Sequence, residues 1–78
     1  GPRLTFPPDG ARLATGDGQL TLKLNGGAAP FTVLANGAPV ATALRAREVD
    51  IPSPGKGFST LVVVDREGRS DRVSVQLD

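Results

Sequence analysis

The sequence predicts an all-β fold, an immunoglobulin-like β-sandwich of about seven short antiparallel strands in a single domain over residues 1–78. Three observations carry this. Ten Gly and seven Pro residues fall between short apolar runs, so turn signals recur about every ten residues. Leu20, Leu22 and Leu24, and again Val73, Val75 and Leu77, alternate with polar neighbours at the strand period of two. Residues 57–77 hold two β-branched runs joined by a turn sequence, the longest and most apolar pairing unit in the chain. A small barrel is the alternative, and strand propensity does not separate the two.

The first strand is Arg3–Phe6. It is stopped by Pro7-Pro8-Asp9-Gly10, because neither proline can donate to a ladder and Gly10 permits a tight bend. Residues 11–14 are a second short edge piece. Asp17-Gly18 is a turn, with Asp9 and Asp17 as turn-formers. Gln19–Asn25 follows, Leu20, Leu22 and Leu24 facing in and Thr21 and Lys23 out. Asn25-Gly26-Gly27 ends it; without a Lys-Ser/Thr pair or a helix it is a turn and no phosphate loop.

Phe31–Ala35 is next, with Phe31, Val33 and Ala35 on one face. Asn36-Gly37 is a two-residue hairpin signal, and residues 38–42 return from it. Residues 41–48, ATALRARE, are the one competing helix candidate. They have few apolar anchors and no cap, and so short a helix is marginal alone; a loop or strand continuation is expected. Residues 47–51 form another short strand with Val49 and Ile51 inward, and residues 52–57 are a loop.

The final hairpin is the best defined. Leu61-Val62-Val63-Val64 is apolar on both faces and is expected to lie centrally in a sheet. Asp65-Arg66-Glu67-Gly68 turns the chain, with Gly68 supplying a positive φ and Asp65 bonding the backbone that follows. On the return strand Val73, Val75 and Leu77 face in; Arg72, Ser74 and Gln76 face out. The expected core is Phe6, Leu20, Leu22, Leu24, Val33, Val49, Ile51, Leu61, Val63, Val73, Val75 and Leu77.

Composition narrows the function classes. A chain of 78 residues buries a small core and is marginally stable. There is no Cys and no His, so disulfides and the usual soft metal ligands are excluded. Nine Lys and Arg against eight Asp and Glu, interspersed, give a solvated surface with no polyanion-binding field, so no nucleic-acid partner is expected. No apolar run approaches the roughly 20 residues that span a bilayer, and no membrane contact by this domain is expected. Without Trp or Tyr there is no obvious platform for sugar or base stacking. The chain opens on Gly1-Pro2 with no initiator Met and no signal-peptide pattern; it is expected to be excised or processed from a longer protein.

No catalytic, cofactor or metal site emerges from the residues. Ser53-Pro54-Gly55-Lys56 matches Ser-x-x-Lys, a nucleophile motif that needs hydroxyl and amine one helical turn apart. Gly55 and Gly57 break any helix there, and neither a Lys-Thr-Gly nor a Ser-x-Asn partner exists, so the stretch reads as a turn. Asp65 and Glu67 are oxygen donors near a turn but sit beside Arg66 and Arg69, a weak cation cage; a solvated hairpin turn is expected. Arg66, Arg69 and Arg72 are the candidate partner-binding residues, able to meet an acidic partner. Asp65, Glu67 and Asp71 lie among them, and mutual neutralisation competes with that role.

Several segments, in order, resemble one known domain. Leu4-Thr5-Phe6-Pro7-Pro8-Asp9-Gly10-Ala11-Arg12-Leu13 is similar to an opening strand and PxDGAxL turn. Leu34-Ala35-Asn36-Gly37-Ala38-Pro39-Val40 is similar to an NGxPV hairpin, and Pro54-Gly55-Lys56-Gly57-Phe58 to a PGxGF loop. Val63-Val64-Asp65-Arg66-Glu67-Gly68-Arg69-Ser70, with Val73, Val75 and Leu77, is similar to a closing VVDxxGRSxxVxVxL. Together they resemble the C-terminal domain of bifunctional penicillin-binding proteins of the C subclass, over nearly the whole chain. One departure is Val33, where that family often carries Trp, so the local core must pack differently.

The resemblance implies an inner-membrane-anchored parent facing the periplasm, with glycosyltransferase and transpeptidase domains that synthesise peptidoglycan. None of those active-site residues lies in this chain. The expected role is a non-catalytic module without cofactor, whose partner is the neighbouring transpeptidase domain or a periplasmic protein. Direct binding of peptidoglycan, with Arg66, Arg69 and Arg72 meeting stem-peptide carboxylates, and a structural spacer that shields the transpeptidase domain are the alternatives.

Overall fold

Eight strands build two facing sheets in the computed structural model, which describes residues 1–15 and 18–78. They are β1 (Arg3–Phe6), β2 (Arg12–Leu13), β3 (Gln19–Asn25), β4 (Phe31–Ala35), β5 (Ala38–Leu44), β6 (Glu48–Pro52), β7 (Gly57–Val64) and β8 (Ser70–Leu77). One sheet has the order β1-β3-β6 and the other β2-β8-β7-β4-β5. The first, third and sixth strands thus face the fourth, fifth, seventh and eighth, the division seen in immunoglobulin-like sandwiches. The sequence predicts about seven strands, all antiparallel; the short edge piece expected at residues 11–14 is the two-residue β2, which pairs parallel to the end of β8. The Asp17 half of the expected Asp17-Gly18 turn lies outside the described residues.

The β7–β8 hairpin holds an unbroken antiparallel register from Gly57↔Leu77 to Val64↔Ser70. Its turn closes through a bond from the Gly68 N–H to the Asp65 carbonyl at 3.0 Å and another from the Asp65 N–H to the Arg69 carbonyl at 2.8 Å. Gly68 sits at φ +80°, the conformation for which the sequence needs a glycine there. β7 lies between β8 and β4, as its two-faced apolar run requires. Leu61 and Val63 are fully buried on the inner face; Val62 and Val64 are half-buried on the outer one.

Asn36 and Gly37 both adopt positive φ and join β4 to β5. The strand then runs to Leu44, so residues 41–44 continue the sheet and no helix forms. Two register shifts lie in the β4–β5 pair, between Phe31 and Val33 and between Val33 and Leu34. Ala43 takes φ +51° on this bulged strand.

The core contains Leu20, Leu22, Leu24, Val33, Ile51, Leu61, Val63, Val73, Val75 and Leu77, as the alternation predicts. Leu4, Phe31 and Ala35 join it. Val49 is partly buried and packs against its rim. Phe6 is a correction: it is 37% exposed, and Leu4 and Pro7 are buried instead. The cause is a register shift between Leu4 and Phe6, which places Leu4 opposite Leu24 but Phe6 opposite Lys23, an outward position. Val33 is fully buried, and so is Phe31 two residues earlier. The Arg47 guanidinium lies over the Phe31 ring at 5.0 Å.

Candidate functional site

The edges of a sandwich are where unpaired main-chain groups can meet another strand, and most of them here are blunted. β5 carries Pro39 and two bulges. β6 carries Glu48 and Asp50 and ends on Pro52. β1 is bracketed by Pro2 and Pro7. Prolines, bulges and charges are the usual devices that stop a strand edge from pairing.

The outer edge of β8 differs. Successive strand residues turn their backbone groups alternately toward each neighbour. Ser74 faces away from β7: its N–H donates to Asp9 Oδ1 at 2.8 Å and its carbonyl accepts the Gly10 N–H at 2.7 Å. Farther along, the Gln76 N–H donates to the Ala11 carbonyl at 2.9 Å, beside β2. Arg72, two residues before Ser74, faces the same way, and its main-chain N–H and carbonyl have no partner among the described residues. β2 is too short to reach it.

Between this edge and β1 lies a groove of about 490 Å³. Leu4 and Val73, both buried, give it an apolar floor, and Pro8 lines one end. Arg3 and Arg72 stand on its rim, both exposed, with no ion pair or side-chain hydrogen bond among the described residues. The two acids of the groove are engaged on backbone: Asp71 Oδ2 accepts the Leu4 N–H at 2.8 Å, and Asp9 Oδ1 accepts the Ser74 N–H. Asp9 is thus the turn-former expected and also a strap from the β1–β2 turn onto β8.

At one end of the molecule Asp65 is fixed by five donors. Its Oδ1 accepts the N–H groups of Glu67 and Arg69, each at 2.9 Å. Its Oδ2 accepts the Ala28 N–H at 3.1 Å, Arg69 Nε at 3.0 Å and Arg69 Nη2 at 2.9 Å. The sequence predicts a solvated turn carboxylate; the structure corrects this, because the Asp65 side chain is fully buried. Burial pushes its pKa up, but the Ala28 and Arg69 N–H groups and the Arg69 guanidinium outweigh this and hold it at about 2. The Arg66 N–H donates to the Ala28 carbonyl at 2.8 Å, so the β7–β8 turn is tied to the β3–β4 loop on both sides.

These contacts separate the three candidate arginines. Arg69 grips Asp65, Arg66 lies 3.6 Å from Glu67 on the surface, and Arg72 stands apart in the groove. Glu67 and Asp65 form no cation cage, since both Asp65 oxygens are taken by donors. No group of three or more Asp or Glu converges on a metal position among the described residues.

The model of the Penicillin-Binding Protein C-terminus Family matches residues 1–76. The chain belongs to this family. No curated protein and no solved structure matches it.

In this penicillin-binding protein C-terminal domain the Ser-x-x-Lys stretch is irregular loop, with Gly55 and Gly57 at φ +103°. Ser53 Oγ accepts the Gly55 N–H at 3.2 Å and lies 3.4 Å from Thr15 Oγ1, the bonding of a serine turn. Sequence reasoning overlooked Arg3 and Asp71 as groove residues. The only signal was the pairing partner of each strand, which is set by contacts more than sixty residues apart in the chain.

Proposed function

We propose that this domain is a non-catalytic accessory module of a periplasmic, membrane-anchored peptidoglycan synthase, where it binds a protein partner or positions the enzyme. The observation that carries this reading is the family match over residues 1–76. A sandwich with most edges blunted and one left open is suited to that role, since an unpaired edge is a ready template for another chain. In this reading Arg66, Arg69 and Arg72 lie along the β7–β8 hairpin, with Arg69 held by Asp65, Arg66 3.6 Å from Glu67, and Arg72 without an ion pair among the described residues.

The test is affinity capture from periplasmic extract with the 78-residue chain and with its full-length parent as baits. The same periplasmic protein is expected on both. Enrichment by the parent with none by the chain would contradict the reading. Sedimentation with purified sacculi separates it from direct peptidoglycan binding: the chain is expected in the supernatant, and recovery in the pellet would favour the wall itself as ligand.

A further inference from the structure

We propose that the groove between β1 and β8 receives an extended segment of a protein partner, paired main chain to main chain with β8 at Arg72. One carboxylate of the segment lies against Arg3 and Arg72, and one apolar side chain sits on Leu4 and Val73. This rests on the reading of the domain as an interaction module and names the site and the chemistry of what it binds.

Three independent features point to this occupant. The main chain of Arg72 presents one donor and one acceptor outward with no partner among the described residues, and strand alternation turns Ser70 the same way. Unpaired main-chain groups of this kind are met best by another extended backbone. The guanidiniums of Arg3 and Arg72 have no hydrogen-bond or ion-pair partner among the described residues, whereas Asp9 and Asp71 on the same groove are engaged on the Ser74 and Leu4 N–H groups. The rim is therefore formally balanced in charge but unbalanced in hydrogen bonding, and an incoming carboxylate supplies the missing acceptors. The floor is apolar and the groove has no aromatic lining, so an aliphatic side chain fits it and a stacked sugar ring has no platform.

The strand, and no longer only the groove, selects the partner's conformation. A segment with Pro at the paired position cannot donate to β8 and is excluded. The blunted edges β5 and β6 are not alternatives, because their prolines, bulges and acids oppose pairing.

The test is selection of random peptides displayed on phage against the immobilised 78-residue chain, followed by amide exchange and binding measurements on the peptides recovered. Enriched peptides are expected to lack Pro and to share an Asp or Glu next to an aliphatic residue. Binding is expected to slow exchange at the Arg72 amide. Charge reversal by Arg3→Glu with Arg72→Glu, or N-methylation of the peptide backbone, should each weaken it at least about tenfold. The reversal gathers four acids in the groove and is expected to lower the melting temperature somewhat; Arg3→Gln with Arg72→Ala removes two exposed side chains that have no ion pair among the described residues, should leave the melting temperature unchanged, and is expected to show a smaller loss of binding of the same sign. No enrichment over a bare surface, equal binding by the variants, or protection of β5 or β6 in place of Arg72 would overturn the proposal. In the periplasmic capture, a double variant that still takes the partner held by the wild-type chain overturns the groove and leaves the module reading standing. A wild-type chain that takes none overturns the module reading itself.

Discussion

At Asp65 a single carboxylate joins two loops of the sandwich, and its titration makes that bond measurable. In the fold the carboxyl is held at about 2, below its ordinary 3.8. The unfolded chain therefore takes up a proton more readily than the folded one as pH falls. The stabilisation is complete above 3.8 and is lost as pH drops through about 2. Urea midpoints are expected to be flat above about pH 5 and to fall between about pH 4 and 2. Asp65→Asn should flatten part of that slope and lower the melting temperature at neutral pH by roughly 5–10 °C, since its amide cannot accept all the donors left behind. An unchanged slope would show that Asp65 is not the titrating tie. Gly27 offers a second residue-scale check. It lies at φ +69°, and a Cβ there would meet Pro2 Cβ at 2.8 Å and Pro2 backbone at 3.0 Å. Gly37, at φ +83°, has open space around it. Gly27→Ala is expected to cost about 2–3 kcal/mol and Gly37→Ala about 1 kcal/mol, compared by denaturant unfolding. The Asp-x-x-Gly turn signal at Asp65 was legible in the sequence. The burial of its side chain was not, because the deciding donor is the Ala28 N–H, thirty-seven residues away.

At the scale of strands, alternation placed β3 and β8 correctly because each presents one clean apolar face to the other sheet, and the two-faced apolar run of β7 marked its place between two strands. It failed in β1. There a one-residue irregularity after Leu4 reverses the side on which Phe6 emerges, and nothing in Leu4-Thr5-Phe6 marks it. The groove was illegible for a related reason: an open edge depends on which strand ends beside which, and β2 stops after two residues. That edge has its own expected signature. In native-state hydrogen exchange the Arg72 amide should exchange faster than those of Val73 and Val75, its inward neighbours bonded to β7. Protection of Arg72 equal to theirs would mean that its edge is covered. The apolar outer positions Val62 and Val64 are half-buried, on a strand that lies between β8 and β4.

At the scale of the whole molecule, thirteen buried apolar residues among those described form one cluster between the sheets, and a domain of this size has only a few kcal/mol of net stability. Leu22→Ala, at a position with no exposure, is expected to remove about 3 kcal/mol and to leave a substantial unfolded fraction, read by denaturant unfolding. The fold class was legible because turns and alternation repeat along the entire chain. The family was legible because four turn-centred segments occur in one order, and the match over residues 1–76 agrees with it. Function was less legible, since the site proposed for it is an edge and a groove and no motif. The central claim, that this penicillin-binding protein C-terminal domain is an interaction module, is tested most directly by parallel affinity capture from periplasmic extract with the chain and its full-length parent. The same enriched protein on both baits is the result predicted; enrichment on the parent alone would contradict it.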